Sequence, residues 1–329
     1  MKKHFGKILL GCLLSVLLIY LTLKQINFKD SFEYIKRTNY PFLLFAFASY
    51  TMSYIVRAIR YFLIIYPIKK TPVFQNFPYT VLGFFMNNII PLRIGELIRA
   101  KVTGERLGIS RSSALATIVV ERFLDITIFI VSFFIIVNFL NFPDFIKNTF
   151  YICAFIFGGG FIVLFIAAIF DKKALNIASK FPLPAKIKSF ILSFIDRFIN
   201  GLYVLKNAKI FVSSFIFSII LWLIESSTVI IVAYSCGFLL SVPQALFVVI
   251  IVGIGGILPT APGYVGAFEF MGVAALSALD IGKDQAFVCI ITYHFIGLLF
   301  ISLLGMTCII AAKISFKDLF KFEEIKSSE

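Results

Sequence analysis

Charged side chains are scarce in this chain of 329 residues, at 15% of the total. Hydrophobic residues make up 60%, and the mean hydropathy is +0.98. Soluble domains contain only about 45–50% apolar residues, so this composition excludes a soluble globular protein, a disordered tail and a coiled coil. It is typical of a polytopic α-helical membrane protein.

The sequence also lacks the motifs of the common enzyme classes. It contains no P-loop and no GxGxxG, HExxH or GxSxG pattern. The cysteines lie in apolar runs without CxxC spacing, which favours buried small hydrophobic residues over ligands: Cys12, Cys153, Cys236, Cys289 and Cys308. We therefore expect no catalytic residue, metal site, cofactor or disulfide.

Basic residues outnumber acidic ones by 31 to 17, which gives a formal charge of +14. They lie mostly between the apolar runs, as the positive-inside rule and attraction to anionic lipid headgroups explain, so we expect no nucleic-acid partner. Residues 1–23 resemble a secretory signal. However, the apolar stretch between Lys7 and Cys12 is too short for the core of such a signal. We interpret this segment as an uncleaved first helix.

Six apolar stretches are long enough to cross a bilayer, which takes about 20 residues. They span 8–23, 41–66, 113–140, 150–170, 210–236 and 285–312. Lys and Arg between spans predict cytoplasmic segments at both termini and at 67–77, 92–112 and 171–209. The nearly neutral segments are expected outside, at 141–149, 237–243 and 280–285. The basic segment 24–40 argues against this orientation, because the same order of crossings puts it outside.

Two further apolar stretches do not fit a simple crossing. Residues 78–91 are too short, and residues 244–280 are broken midway by glycine and proline. Each lies between two segments predicted on the same side, which predicts a re-entrant hairpin that enters and leaves by one face. In both places a short apolar arm and an Ile-Ile/Leu-Pro break are followed by glycine and a carboxylate, which are Gly95 and Glu96 after the first and Gly263, Gly266 and Glu269 after the second. This is a weak internal repeat of the kind that marks transporter sites. Broken backbone at membrane depth predicts a central polar cavity.

The predicted fold is an all-α polytopic membrane protein with about six full transmembrane helices plus two opposed re-entrant hairpins, inverted-repeat-like. Residues 1–312 form a single transmembrane domain, and residues 313–329 form a short cytoplasmic tail. Residues 185–205 have the spacing of an amphipathic helix. It is interpreted either as a helix on the inner membrane surface or as a cytoplasmic cap on the bundle.

Ionisable residues inside spans are costly, so they should pair or face water. We predict that arginines of the first half face carboxylates of the span 113–140 across the inner half of the cavity. A closed salt-bridge network that only holds the bundle together is the alternative. The candidate residues on this side are Arg57, Arg60, Asn88, Pro91, Arg93, Glu96, Arg99, Glu121, Arg122 and Asp125.

The outer half of the predicted cavity has its own candidates. Glu225 and His294 lie at similar depth and could meet as a proton relay or as a satisfied buried pair. Breaks with proline and glycine free backbone amides that can bind an anion such as phosphate. The candidate residues on this side are Glu225, Pro259, Pro262, Gly263, Gly266, Glu269 and His294.

Three motifs carry a family resemblance: NIIPLRIGE at 88–96, VVERFLD at 119–125 and LPTAPGYVGAFE at 258–269. In this order they resemble the flippase-like transmembrane family, which is the membrane region of lysylphosphatidylglycerol synthase. The resemblance covers about residues 8–312 and implies a lipid flippase fold with re-entrant helices. Relatives move an aminoacylated phospholipid between leaflets, and archaeal relatives are linked to lipid-carrier sugar pathways. The aminoacyl transferase of bifunctional relatives is a separate soluble domain, so aminoacylation is not expected here.

The functional hypothesis is an integral membrane lipid transporter in the plasma or inner membrane. It would move a phospholipid or lipid-linked headgroup through a charged cavity, with Arg93 and Arg99 on the phosphate. The acidic residues Glu121, Asp125 and Glu269 would balance cationic parts of the headgroup or couple to protons. The alternatives are a membrane enzyme or an accessory subunit acting on a lipid carrier. A homo-oligomer and a partner synthase on a separate chain stay open.

Overall fold

A computed structural model describes residues 2–91, 93–137 and 207–315, with isolated positions between 148 and 196 and at 319. The elements of these ranges are helical, as predicted. They are α1 (Lys2–Leu23), α2 (Phe28–Arg37), α3 (Leu43–Ile65), α4 (Val73–Ile89), α5 (Ile94–Leu107), α6 (Arg111–Ile136), α7 (Ala208–Ser235), α8 (Val242–Gly255), α9 (Ala267–Ser277) and α10 (Lys283–Ala311), with 3₁₀ turns at Tyr40–Phe42 and Pro262–Tyr264. The predicted helices at 150–170 and 185–205 lie outside the described residues, apart from isolated positions.

Several helices can cross a membrane by length and composition. In the described ranges these are Tyr40–Ile65, Ala208–Ser235 and Lys283–Ala311. A fourth span arises if Leu9–Leu23 is joined to Phe28–Arg37, across a bend of 86°. The predicted spans at 8–23, 41–66, 210–236 and 285–312 coincide with these helices. The predicted span at 113–140 overlaps α6, which has 26 residues but is not among these candidates, because it carries three charges near its middle. Residues 138–140 lie outside the described ranges.

Two segments that the sequence analysis treated as loops contain helices. The basic segment 24–40 holds α2, whose N-cap Asn27 accepts a hydrogen bond from the Lys29 amide. The segment 92–112 holds α5, whose C-cap residue Gly108 is in the left-handed conformation. Both were read as connections because charge is dense there. A helix tolerates that density where opposite charges lie three or four residues apart.

The ends of the helices sort into two groups. The Asn39 amide donates to the Ser235 carbonyl over 2.8 Å, and the Gln285 side chain donates to the Cys236 carbonyl over 3.1 Å. These bonds bring the ends of α2, α7 and the start of α10 together. At the other end of α10, Arg106 of α5 donates to the Lys313 carbonyl. Segments 24–40, 237–243 and 280–285 therefore share one end of the molecule, which is the grouping that the sequence predicted.

Two helical hairpins pack into this bundle. Helix α4 packs on α5, and α8 packs on α9. Helix α4 begins at Val73, five residues before the apolar stretch recognised in the sequence. Pro78, the first residue of that stretch, lies inside the helix. The prediction of one domain over residues 1–312 stays a prediction.

Candidate functional site

The tips of the two hairpins lie against each other. We call the end of α4 from Asn88 together with the turn up to Ile94 the first break, and the turn between Gly255 and Ala267 the second break. The Arg93 guanidinium stands over the Tyr264 ring at 5.7 Å from its centroid. Its Nη2 atom lies 3.5 Å from where a Cβ at Gly256 would be. Each hairpin thus supplies part of the surface around Arg93.

Both residues of this contact have strained backbones. Arg93 has φ 56° and Tyr264 has φ 63°, in the left-handed region that side chains other than glycine rarely adopt. Each such residue costs about 1–2 kcal/mol. Strained residues of this kind cluster at ligand sites and switch regions, where the surrounding structure holds them in place.

The first break is fixed by a side-chain cap. The Asn87 side-chain oxygen accepts a hydrogen bond of 2.9 Å from the Gly95 amide at the start of α5. A Cβ at Gly95 would overlap the Gly83 carbonyl oxygen of α4, so only glycine allows the two arms to approach this closely. The cap and the glycine together set the position of Arg93.

The second break is held from two directions. From α1, the Ser15 hydroxyl accepts a 2.8 Å hydrogen bond from the Ala261 amide. From α9, the Glu269 carboxylate accepts a 2.6 Å bond from the Gly266 amide. Gly266 has φ 93°, and its Cα faces the Ser15 carbonyl oxygen so closely that a Cβ would lie 2.7 Å from it. The predicted role of Gly266 in close backbone approach therefore has a partner, helix α1.

Glu269 also binds a histidine from α10. Its Oε1 atom lies 2.6 Å from His294 Nδ1, and the other ring nitrogen, Nε2, lies 2.8 Å from the Gly263 carbonyl oxygen. The Phe268 ring stacks on the imidazole at 3.9 Å. The pair borders an apolar groove of about 300 Å³ between α1, α9 and α10.

A cluster of buried charges lies among α3, α5, α6 and α7. Arg60 binds Asp125 at 2.5 Å and approaches Glu121 at 3.9 Å, and Arg99 binds Glu121 at 2.6 Å. The side chains of Arg60 and Arg99 are only 1% and 2% exposed. Burial at that level is tolerated only where charges are paired and hydrogen-bonded.

Neutral side chains complete the inner part of this cluster. Ser218 accepts a 3.0 Å hydrogen bond from Arg60, and the Trp222 indole donates one of 3.1 Å to Asp125. The Arg99 guanidinium lies 4.0 Å from the Tyr61 ring centroid, a favourable cation–π contact. The arginines are therefore held in fixed positions by several partners each.

The cluster extends outwards through two more pairs. Arg57 binds Glu225 at 2.6 Å, and Arg122 lies 3.5 Å from Glu96 and 3.3 Å from Asp125. We call the eight residues the charged cluster. It contains four cations and four anions and carries no net charge: Arg57, Arg60, Arg99, Arg122, Glu96, Glu121, Asp125 and Glu225.

Arg93 is not part of the charged cluster. Within the described part of the chain it makes no ion pair, and its buried Nε atom has no hydrogen-bond partner. The amide nitrogen of Asn88, on the same break, is also buried without a partner. Two donors of the first break are therefore unsatisfied beside the second break, and such groups require an explanation in terms of a ligand, water or function.

These contacts confirm some of the predicted pairings and correct others. Arg60 and Arg99 face Asp125 and Glu121, as predicted. Arg57 instead faces Glu225, and Arg93 faces an aromatic ring. Glu225 and His294, which the sequence suggested could meet, do not pair: Glu225 binds Arg57 of α3, and His294 binds Glu269 of the second hairpin.

The other predicted positions shape the breaks. Pro91 lies in the first break, and Pro259 precedes the 3₁₀ turn that begins at Pro262. Gly263 has φ 68° and supplies the carbonyl that His294 binds. Sequence reasoning missed Ser15, Trp222 and Tyr264. Trp222 is the only tryptophan in the sequence and sits three residues before Glu225, which was a usable signal. Ser15 carried no signal in the sequence.

The apolar helices and the buried, paired charges define a multi-spanning α-helical membrane protein. The chain belongs to the family described as the lysylphosphatidylglycerol synthase TM region, whose family model matches residues 8–305. It is similar to a UPF0104 membrane protein of Methanocaldococcus jannaschii, with 24% identity over 336 residues, which cover 95% of this chain and 97% of the relative. The family resemblance seen in the motifs is confirmed.

Proposed function

We propose that the protein is a lipid flippase that moves a phosphate-containing headgroup between leaflets along the junction of the two breaks. The headgroup crosses between the hairpin tips while the acyl chains stay in the bilayer. Irregular backbone at membrane depth is tolerated where it lines a polar cavity, which the two breaks would provide. Membership of the lysylphosphatidylglycerol synthase TM region family supports a role at lipids.

The observation that carries this proposal is the unpaired state of Arg93. Among the described residues it is a partly buried arginine at the hairpin junction whose guanidinium binds no carboxylate. Arginine presents a planar fork of donors that matches phosphate. Asn88 adds a second unsatisfied donor on the same break. A phosphate bound at this break would offer acceptor oxygens to such donors.

The charged cluster has a different role in this proposal. Arg99, which the sequence placed on the phosphate, is held by Glu121 and Thr80 and is closed to a ligand. The balanced pairs position α3, α5, α6 and α7 around the first hairpin. We therefore assign headgroup binding to Arg93 and Asn88, and assign the cluster to the support of the hairpin that carries them.

The orientation follows the basic residues. We propose that the end with Arg106 and Lys313 is cytoplasmic and that the end with α2 and the start of α10 faces outwards. The first hairpin then enters from the cytoplasmic side and the second from the outside. Helix α2 leaves the axis of α1 by 86° and exposes Phe28 and Phe32, as a helix at the membrane surface would.

The test is translocation in proteoliposomes. Vesicles of phosphatidylcholine with a trace of fluorescent phosphatidylglycerol are treated with dithionite, which quenches only the outer leaflet. The wild-type chain is expected to move the inner-leaflet probe outwards. Arg93→Gln removes charge-assisted hydrogen bonds worth about 1.5–3 kcal/mol, which corresponds to a loss of about ten- to a hundredfold in rate.

Arg93→Lys keeps the charge without the fork and is expected to lie between the two. Arg111→Gln is the matched control, because Arg111 is exposed and, among the described residues, forms its ion pair with the exposed Glu105. If Arg93→Gln translocates as fast as this control, the headgroup site is wrong. If the wild-type chain moves no probe, the reading as an enzyme or accessory subunit replaces the flippase.

A further inference from the structure

The hydrogen bonds of His294 fix the number of protons on the Glu269–His294 pair. A carbonyl oxygen can only accept, so the Nε2 atom that faces the Gly263 carbonyl must carry a proton. At Nδ1, a carboxylate oxygen of Glu269 lies 2.6 Å away, too close for two lone pairs. A second proton must therefore lie between Nδ1 and Oε1.

That second proton belongs to the pair. An imidazolium beside a carboxylate and a neutral imidazole beside a carboxylic acid have the same proton count, so either form is neutral overall. Loss of this proton leaves a carboxylate facing an unprotonated ring nitrogen. The two acceptors repel each other, and the contact between α9 and α10 cannot keep its present length.

Few other charges act on the pair. Helix α1 between residues 8 and 23, helix α4 and helix α8 contain no charged side chain. On α3 and α7, Arg57 and Glu225 bind each other, and Arg60 binds Asp125. The charged side chains of α2 lie at the end of the molecule where Asp284 accepts a hydrogen bond from the Asn27 amide. Asp284 precedes His294 by ten residues on α10, which is about 15 Å along the helix axis.

Among the described residues, the other titratable side chains of the elements around the pair include tyrosines and cysteines. They are Tyr264 on the second break, Tyr293 next to His294, Tyr50 of α3, which stacks on Tyr293, Cys12 of α1 and Cys289 of α10. They are neutral at ordinary pH. Among the described residues, the cation at the second break is Arg93, which lies over the Tyr264 ring.

We infer that the Glu269–His294 pair is a proton-binding site that makes lipid movement proton-coupled. The Gly263 carbonyl, which stays bonded to the Nε2 proton, and the Tyr264 ring belong to one 3₁₀ turn. A shift of His294 relative to Glu269 therefore carries this turn with it and moves Tyr264 relative to Arg93. Release of the proton to water thus changes the surface that the phosphate site presents. This coupling rests on the proposed flippase function, whereas the proton count does not.

The proton count is tested by nitrogen NMR of histidine in the full chain in lipid nanodiscs. The chain has two histidines, His4 and His294, so His4→Gln leaves one signal set. Near neutral pH we expect Nε2 to be protonated and Nδ1 to share a proton with the carboxyl group. Raising the pH should remove one proton in one transition.

Glu269→Gln is the informative variant, since its amide group can donate to Nδ1 and its oxygen can still accept from the Gly266 amide. It should keep His294 neutral, with the proton on Nε2, across the whole pH range. Glu105→Gln, at an exposed ion pair, should titrate like the wild type. An unprotonated Nε2 in the wild type, or an unchanged transition in Glu269→Gln, would overturn the inference.

Coupling is tested in the same phosphatidylcholine vesicles with fluorescent phosphatidylglycerol. An imposed pH gradient should speed translocation in one direction and slow it in the other. The Glu269→Gln variant should translocate at the same rate whichever way the gradient is imposed. If the wild type translocates the probe at a rate independent of the gradient, the proton coupling is refuted and the flippase function stands. No translocation at all refutes the flippase and its coupling, and leaves the NMR result to decide the proton site.

Discussion

At the residue scale, the arginines of the charged cluster differ from Arg93. The cluster arginines pair with carboxylates and stabilise the fold, whereas Arg93 has no carboxylate partner among the described residues and can bind a ligand. The four arginines of the charged cluster each meet a carboxylate, and most of the eight side chains are almost fully buried. Arg93 meets a ring and two backbone breaks instead. Removing a cluster member should therefore affect stability, and removing Arg93 should affect transport.

The Arg57–Glu225 pair offers a test of the first half of that statement. Glu225→Leu leaves Arg57 buried without its partner, which is expected to cost about 3–5 kcal/mol in the free energy of unfolding. Arg57→Met combined with Glu225→Leu replaces both charges by apolar groups and should recover most of this loss. Thermal unfolding of the purified chain in detergent measures both.

The exposed pair of Arg111 and Glu105 is the matched control for the buried pair, and its loss should cost about 0–1 kcal/mol. A double variant as unstable as Glu225→Leu would show that the cost comes from packing and not from the unpaired charge.

Individual residues were predictable where one helix decides their position. Glu121 and Asp125 share a face of α6 by spacing alone, so their role as partners of arginines was correct. The partners of Glu225 and His294 depend on how α7 and α10 are rotated about their axes. These helices are apolar on nearly all sides, and their sequence carries little sign of that rotation.

At the element scale, each break is a device that stops a helix and restarts it within a few residues. The Asn87 and Glu269 side chains cap the restarting helices, and left-handed residues turn the chain. The sequence located both breaks, since proline and glycine mark them. It placed the whole first hairpin in residues 78–91, whereas most of these residues belong to the single helix α4, and α5 forms the second arm. The residues of α5 were assigned to a cytoplasmic segment because their charge is dense.

Gly95→Ala tests the close approach of α4 and α5. Its methyl group would overlap the Gly83 carbonyl, so we expect a loss of about 1–3 kcal/mol in stability from overpacking. Translocation should fall as well, because the same overlap displaces the start of α5 next to Arg93. Thermal unfolding and the vesicle assay report the two effects.

Gly159→Ala is the control for that substitution, since Gly159 is helical and exposed with open space around it. It should gain about 0.5–1 kcal/mol through helix propensity. A Gly95→Ala chain that is as stable and active as Gly159→Ala would refute the steric account of the first break.

At the scale of the whole molecule, the hydrogen bonds between helix ends divide the chain into two faces. Lys36 and Lys283 belong to one face and Arg111 to the other. In a cysteine-free chain in intact cells, a maleimide that cannot cross membranes should label Lys36→Cys and Lys283→Cys. Arg111→Cys should react only after permeabilisation.

Two outcomes of that labelling contradict different statements. If Lys36→Cys and Lys283→Cys react from opposite sides, the grouping of helix ends is wrong. If all three respond in the reverse sense, the grouping stands and the proposed orientation fails. The sequence predicted the grouping because hydropathy fixes the order of crossings, but the basic segment 24–40 weakens the choice of side.

The neutrality of the charged cluster bears on how the protein responds to voltage. Moving one elementary charge through 100 mV changes the free energy by about 2.3 kcal/mol, so a scaffold with net charge would be driven by the membrane potential. Four arginines matched by four carboxylates can shift as a unit without such work. An electrogenic signal would then report charges outside the charged cluster, such as the lipid cargo, Arg93 and the proton on Glu269 and His294, and the cluster itself would add nothing to it.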